Sequence, residues 1–293
     1  MISAALIKEL RERTGVGMME CKKALEEAGG NLDEAIAIMR KSGKAKAAKK
    51  AGRIAAEGVV VIKVAEDHSR GFMVEVNCET DFASGDQDFV EFASSITQIG
   101  LAAEVTHLEE LVALGYQNDQ NIEVVRELLI SRIGENITIR RVALIDSVGG
   151  NHVFSYVHGN GRIGVMIELD VDNPELGKDL AMHIAASRPF AIRADEIPGS
   201  LIEQEREVFL AQMQGTDKPQ PIIDKIIAGK VQKFVDENTL YGQAFIKDPS
   251  IKVADLLKKS KAEVTRFVRF EVGEGIEKAA NDFAAEVMAQ VKK

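Results

Sequence analysis

Thr80, Asp81 and Phe82 stand where strand-like sequence ends and helix-like sequence begins. The run Phe72-Met73-Val74-Glu75-Val76 alternates apolar residues as a half-buried strand does, and NCETDFASGDQDF, residues 77–89, follows it directly. An acid beside a large ring is poor material for a plain connection, because the ring favours burial while the carboxylate must stay wet or paired. Something has to receive the ring.

Other chemistry is thinly represented. His68, His107, His152, His158 and His183 show no metal-ligand spacing, and neither HExxH nor a GxSxG nucleophile elbow occurs. No GxxxxGK[ST] phosphate loop is present and no GxGxxG follows a strand and opens a helix, so direct nucleotide binding lacks support. Acid pairs such as Glu109-Glu110 read as ordinary solvated charge. No cofactor is implied, and catalysis by side chains is not expected. Cys21 and Cys78 lie far apart without CxxC spacing, which suggests neither a disulfide framework nor zinc and fits a reducing cytoplasm.

The chain of 293 residues, 45% hydrophobic and 28% charged, can bury a substantial core and is expected to split into more than one domain. A net charge of -9, from 37 basic and 46 acidic residues, argues against a surface that seeks nucleic acid throughout and favours protein partners. No stretch approaches the roughly 20 apolar residues of a membrane span, and MISAALIKELRERTG reads as an amphipathic helix rather than a signal or transit peptide.

The elements that must position the turn can be read from periodicity. Residues 1 to about 40 give three short helices, with stripes at Leu6, Ile7 and Leu10, at Met18, Met19, Lys22 and Leu25, and at Leu32, Ile36 and Met39. TGVG and AGGN separate them, with Thr14 and Asn31 available to cap or turn. Residues 40–53, RKSGKAKAAKKAGR, carry seven basic residues and no acids, and read either as a solvated linker with helical leanings or as an electrostatic contact to an acidic protein or RNA.

From Glu57 the period becomes that of strands. GVVVIKV and GFMVEV flank AEDHSRG, and FVEFASSITQIGLAA returns to helical spacing, so a β-hairpin followed by a helix is predicted. The pattern recurs in HVFSYVHGNGRIGVMIELDVD, turning at Gly159-Asn160-Gly161, and the helix ELGKDLAMHIAAS. Laying residues 71–76 over 164–169 matches Phe72, Val74 and Val76 to Val165, Ile167 and Leu169, and sets Thr80-Asp81-Phe82 opposite Asn173-Pro174-Glu175. Two related units follow. Between them IEVVRELLISRIGENITIRRVALI reads as a helix closing near Gly134 and then a strand. Beyond them, two helices joined by QGTDKPQP make an antiparallel hairpin expected to project, with a stripe at Ile223, Ile226, Ile227, Val231 and Phe234. VTRFVRFEVGEG is strand-like, and Ile276, Ala280, Phe283, Val287 and Val291 repeat along a closing helix.

The fold class expected is α+β. Its divisions are a three-helix module with basic linker (1–54), a first core unit (55–147), a second core unit (148–194 and 239–275), a coiled-coil helical hairpin (195–238) and a C-terminal helical module (276–293).

LRERTGVGMMECKKAL, residues 10–25, and EVNCETDFAS, residues 75–84, resemble the two signature stretches of the bacterial elongation factor Ts family, the guanine-nucleotide exchange factors of elongation factor Tu. KAAKKAGR, IGENI, RRVA, MHIAASRP and RFEVGEGIEK carry the likeness over essentially the whole chain. One departure is visible: after TDF the family usually has Val, a small residue and a basic one, where this chain has Ala83, Ser84 and Gly85.

The resemblance implies an N-terminal module, similar to ubiquitin-associated domains, that docks on the partner's nucleotide domain through Arg11, Met18 and Met19. It implies that Thr80, Asp81 and Phe82 form a wedge whose acid and ring enter near the partner's magnesium site. Ile133, with Gly134, and His158 match positions that press beside the wedge, and the C-terminal helix from about Glu277 lies against the same domain. Read without the resemblance, Met18 and Met19 suit a core, Ile133 a helix C-cap contact and His158 an ordinary hairpin position. A homodimer or 2:2 complex through the helical hairpin fits the same reading, in a cytoplasmic protein without a membrane anchor. The competing reading is an adaptor without exchange activity that holds RNA through residues 40–53.

Overall fold

Capping residues separate the N-terminal helices. The computed structural model describes residues 2–117, 120–213 and 219–277. Helix α1 (Ala4–Thr14) starts at Ser3, whose hydroxyl accepts from the Leu6 amide at 3.2 Å, and ends at Gly15. Helix α2 (Met18–Glu27) follows, and α3 (Leu32–Lys50) is capped by Asn31, which accepts from the Asp33 and Glu34 amides at 3.0 and 3.2 Å. Leu10, Val16, Cys21, Ala24, Leu25, Ala35 and Met39 close a small core. Met18 and Met19, expected on the apolar stripe of α2, lie outside it; the buried face runs through Cys21, Ala24 and Leu25 instead.

The first unit is a hairpin of β1 (Glu57–Val64) and β2 (Arg70–Cys78), then a single helical turn, α4 (Asp81–Ser84), and α5 (Gln87–Ala102). Short pieces absent from the sequence reading come next: α6 (Leu108–Ala113), β3 (Gly115–Gln117) and β4 (Gln120–Asn121). Helix α7 (Ile122–Ile133) and strand β5 (Thr138–Asp146) complete an antiparallel sheet of order β1-β2-β5. Phe72, Val74 and Val76 pack with Phe89, Phe92, Ile96, Leu129 and Ile130 beneath α5 and α7. The basic stretch is helix rather than linker down to Lys50, because α3 lies along α7 with its small residues inward. A Cβ added at Gly43 would lie in van der Waals contact with α7, 3.4 Å from the Glu127 carbonyl oxygen, so the two helices cross closely there.

The second unit repeats the plan. Strands β6 (His152–His158) and β7 (Ile163–Leu169) form a hairpin and α8 (Pro174–Ser187) follows. The chain leaves through α9 (Gly199–Gln212) and α10 (Gln220–Asn238), which pack together. It returns through β8 (Ala244–Phe245), β9 (Asp248–Lys252) and α11 (Val253–Ser260), none of them legible beforehand, and ends in β10 (Val264–Glu271), giving the sheet order β10-β7-β6. Along the stripe of α10, Ile227 is buried and Ile223, Ile226, Val231 and Phe234 are half-buried. The architecture is α+β. Of the closing helix, residues 278–293 lie outside the described residues.

The two sheets stack face to face, so β2 is buried on both sides rather than half-buried. Val60, Met73, Ile145, Val153, Met166 and Phe270 fill the seam. A Cβ on Gly71 would lie 2.9 Å from Val153 Cγ1 and 3.0 Å from Met166 Sδ; on Gly164 it would lie 2.5 Å from Val60 Cγ1 and 3.0 Å from Met73 Sδ. The glycines matched in the overlay of the two units therefore permit the close approach, each facing the other unit's methionine.

Glu75 sits fully buried at this seam. Desolvation would raise its pKa, but the Gly273 amide (2.8 Å) and the Arg140 (3.0 Å) and Arg141 (2.6 Å) guanidiniums outweigh it and hold the carboxyl below its ordinary range. A bulge opposite Glu75 inserts Arg140 as an extra residue on β5, so neighbouring arginines reach one carboxylate. The Gly273 bond ties the end of β10 to the first sheet.

Candidate functional site

Strand β2 delivers the chain to Thr80. The buried Cys78 thiol donates to the Thr80 carbonyl at 3.1 Å, and burial pushes that thiol up to about 12, so it stays protonated. Thr80 is extended backbone and its Oγ1 accepts from the Ala83 amide at 3.2 Å, which starts α4. The helix stops after one turn at Gly85, and Asp86 caps α5 by accepting from the Asp88 and Phe89 amides at 2.9 and 3.4 Å. Ala83 is the buried residue of this turn, leaving Asp81 exposed and Phe82 87% exposed. A phenylalanine held so far out of the core on a capped turn is a preformed apolar projection.

The turn is also gripped from behind. Glu135, two residues beyond the end of α7, accepts from the Glu79 amide (3.1 Å) and Thr80 amide (3.0 Å) through Oε2, and from the Thr80 hydroxyl (2.6 Å) through Oε1. Glu79 answers by accepting from the Asn136 amide at 2.6 Å. Ile133 ends α7 half-buried, and Gly134 takes the left-handed conformation (φ 87°) that lets its amide return to the Ile130 carbonyl. Lys50 of α3 donates to the Gly134 carbonyl, Asn136 Nδ2 to the Arg53 carbonyl at 2.8 Å, and Arg53 pairs with Glu79 at 3.4 Å. Thr80, Asp81, Phe82, Ile133 and Gly134 thus belong to one bonded assembly.

His158 comes from the other unit. It is exposed at the end of β6, with Nδ1 3.1 Å from the Tyr156 hydroxyl. The hairpin turn beyond it places the Gly161 carbonyl on the Val60 amide at 2.7 Å and Arg162 on Glu57, the residue paired with Cys78. His158 therefore stands at the end of the first sheet from which the Thr80 turn emerges.

The N-terminal residues form a separate surface. Arg11 is exposed in the last turn of α1, and Met18 and Met19, 59% and 77% exposed, begin α2 across the glycine-bounded loop. Lys46 joins this module to α7 by contacting Glu20 and donating to Ser131 Oγ at 2.8 Å. Three of the seven basic residues at 40–53, Lys46, Lys50 and Arg53, are thereby engaged within the chain.

Sequence reasoning missed Glu135. It lies inside IGENI, but its partners are 55 and 56 positions away and periodicity gives no sign of them. A glutamate just past a glycine that ends a helix, beside no cation in sequence, was the available signal. Among the described residues no group of three or more His, Cys, Asp or Glu is placed to hold a metal, and no helix is long and apolar enough to cross a membrane.

The family model described as elongation factor TS matches residues 79–274. Elongation factor Ts of Coxiella burnetii (strain Dugway 5J108-111) is 52% identical over 293 residues, 99% of this chain and 98% of that relative. The elongation factor Ts proteins of Thioalkalivibrio sulfidiphilus and Legionella pneumophila (strain Lens) are 49% and 48% identical over 291 residues, 99% of this chain and of each relative. The family model takes in the gripped turn, α7, β5, the second sheet and the helical hairpin inserted in the second unit, and with such identity along the whole chain this protein belongs to the elongation factor Ts family.

Proposed function

We propose that the chain is a guanine-nucleotide exchange factor for elongation factor Tu in cytoplasmic translation elongation. The observation that carries this reading is the 87% exposure of Phe82 on a turn fixed by two caps and Glu135. A GTPase holds GDP through backbone amides around the phosphates and a magnesium ion with strict ligand geometry. Disturbing that geometry releases nucleotide without breaking a covalent bond. Burying the Phe82 ring in a partner pocket supplies about 1.5 to 3 kcal/mol, enough to offset part of the cost of shifting elements beside the magnesium. Asp81 brings a negative charge beside the ring, where it competes for the ion or its water shell.

Ile133, Gly134 and His158 press on the partner beside this wedge, and Thr80 sets its angle. Arg11, Met18 and Met19 hold the nucleotide domain at a second place, as does the C-terminal segment. The factor needs no cofactor and binds no nucleotide itself. Each 1.4 kcal/mol of coupling lowers nucleotide affinity about tenfold, and by reciprocity returning nucleotide weakens the factor's hold equally. The exposed Val208, Leu210 and Ile222 of α9 and α10 support self-association through the helical hairpin, as a homodimer or in a 2:2 complex.

Release of labelled GDP from magnesium-loaded elongation factor Tu tests the reading. The parent chain is expected to accelerate release and Phe82→Ala to do so far less. An adaptor without exchange activity leaves release unchanged with either protein.

A further inference from the structure

The geometry points to Glu135 as a positioning residue that fixes the direction in which Phe82 projects and couples it to the Ile133-Gly134 loop, so that the two press on the partner as one rigid body. This rests on the wedge reading above and adds what holds the wedge. The reason lies in where the turn is weak. Strand β2 ends at Cys78, and α4 is only one turn long, so neither element can resist a sideways load on the ring. The ladder with β1 also stops there, since Cys78 pairs with Glu57, the first residue of β1. Beyond the ladder the Glu79 and Thr80 amides would be free, but the Glu135 carboxylate takes both at 3.1 and 3.0 Å and the Thr80 hydroxyl at 2.6 Å.

Two features make this more than an ordinary cap. Thr80 Oγ1 donates to Glu135 while accepting from Ala83, so the cap of α4 is oriented by a residue of the opposite loop. The exchange is reciprocal, because Glu79 accepts from the Asn136 amide at 2.6 Å, one residue beyond Glu135. Each segment thus supplies a carboxylate to the other's backbone, and charged acceptors make such bonds shorter and stronger than neutral ones. A load on Phe82 passes into α7 and, through Lys50 and the Gly134 carbonyl, into α3.

The experiment compares the parent, Phe82→Ala, Glu135→Ala, Glu135→Gln and the Phe82→Ala/Glu135→Ala double variant, as full chains, for stimulated GDP release and for melting. Glu135→Ala is expected to stimulate release about tenfold less well than the parent, as for a group displaced rather than deleted. The double variant should be no more than about twofold slower than Phe82→Ala, since a residue acting through the ring loses its effect once the ring is gone. Glu135→Gln keeps an acceptor oxygen for the two amides and can donate to the Thr80 hydroxyl, and should restore most of the rate. A purely structural role would instead give multiplicative losses, and that result overturns the proposal. Full activity of Glu135→Ala beside a crippled Phe82→Ala overturns the clasp alone; full activity of Phe82→Ala removes the wedge reading itself. Should Glu135→Ala fail to fold, hydrogen exchange in the parent decides: Glu79 and Thr80 amides protected like those of β2 support the clasp, and loop-like exchange overturns it.

Discussion

The two hairpin-and-helix units part company at one place, the exit of the central strand. Up to that point they match closely. Gly71 and Gly164 open the seam for each other's unit, and Glu75 and Glu168 are both buried on central strands opposite a bulge. Thr80 and Asn173 both cap a helix, accepting from the Ala83 and Leu176 amides. After Asn173, Pro174 begins an uninterrupted helix of 14 residues, the position where proline costs nothing. After Thr80 the helix lasts 4 residues, stops and is capped again at Asp86. The overlaid side chains are Phe82, projecting, and Glu175, an ordinary exposed acid in the first turn of a helix. The first unit gives up a continuous helix, and the backbone bonds that go with it, to hold a ring in solvent. That arrangement gains nothing for folding alone, and it is what the proposed wedge requires.

Glu75→Ala against Glu168→Ala is the widest test of how alike the units are. The first leaves Arg140 and Arg141 without their shared carboxylate and cuts the link to Gly273, so destabilisation of about 3 to 5 kcal/mol is expected from the midpoint of urea unfolding. Glu168 has one guanidinium, Arg266, at 3.5 Å, and its bulge residue is the uncharged Thr265, so a loss of about half that size is expected. Equal losses would mean that the second arginine adds nothing.

Phe82→Ala separates folding from binding. Calorimetry should find the melting transition unmoved, and titration on the nucleotide-free GTPase should find binding weaker by about 2 to 4 kcal/mol, the range for an aromatic anchor. Glu175→Phe, the converse change in the second unit, should alter neither. A lowered melting transition for Phe82→Ala would place the ring in the core after all.

The seam offers a finer contrast. Gly164→Ala drives a methyl to 2.5 Å from Val60 Cγ1 and is expected to cost about 1 to 3 kcal/mol of stability. Gly71→Ala meets Val153 Cγ1 at 2.9 Å and Met166 Sδ at 3.0 Å, a milder clash, and is expected to cost less, the entropy lost by the unfolded alanine chain helping both variants equally by about 0.4 to 1 kcal/mol. Thermal melts of the pair should rank them in that order.

The smallest effect concerns the buried polar residue on each unit's long helix. In α5, Thr97 donates to the Ala93 carbonyl of its own helix and cannot titrate. In α8, His183 lies between Gln243 Oε1 at 2.9 Å and the Ile246 amide, which donates to its Nδ1 at 3.2 Å. Desolvation lowers its pKa below the ordinary 6.5, so the folded state holds the ring neutral. The stability it contributes is whole above 6.5 and drains as pH falls from there toward the lowered folded value, at no more than about 1.4 kcal/mol per pH unit. His183→Gln should flatten that part of the profile of melting temperature against pH, and an unchanged slope would put the dependence elsewhere.

Much of the fold was legible because it rests on local rules. Alternation marked both hairpins, and the caps at Ser3, Asn31, Asn121 and Asn173 mark helix starts, of which Asn31 could be named in advance. The recurrence of Gly-x-Met-x-Glu, from Gly71 and from Gly164, revealed the repeat, and the signature stretches revealed the family. Failures fell where a distant surface decides. Met18 reads as part of an apolar stripe by spacing, yet a helix as short as α2 buries one narrow face here, and Cys21, Ala24 and Leu25 fill it. Residues 40–50 read as linker by charge, yet α7 supplies a groove for Gly43 and Ala47. Glu75 looked like the polar side of a half-buried strand until a second sheet covered it.

By itself the sequence determined which residues would make strands and helices, that two units share one plan, and that an acid and a ring stand at an exit where the plan does not require them. Those are properties of neighbours along the chain, set by side-chain period, capping and turn chemistry over a few residues. Only the tertiary structure decided that Phe82 points outward, that Glu135 grips its turn from 55 positions away, and that the hairpin bearing His158 reaches the same end of the first sheet. Each of these depends on which surfaces meet once the sheets stack, and a carboxylate finds two free amides only after the fold has brought them within about 3 Å.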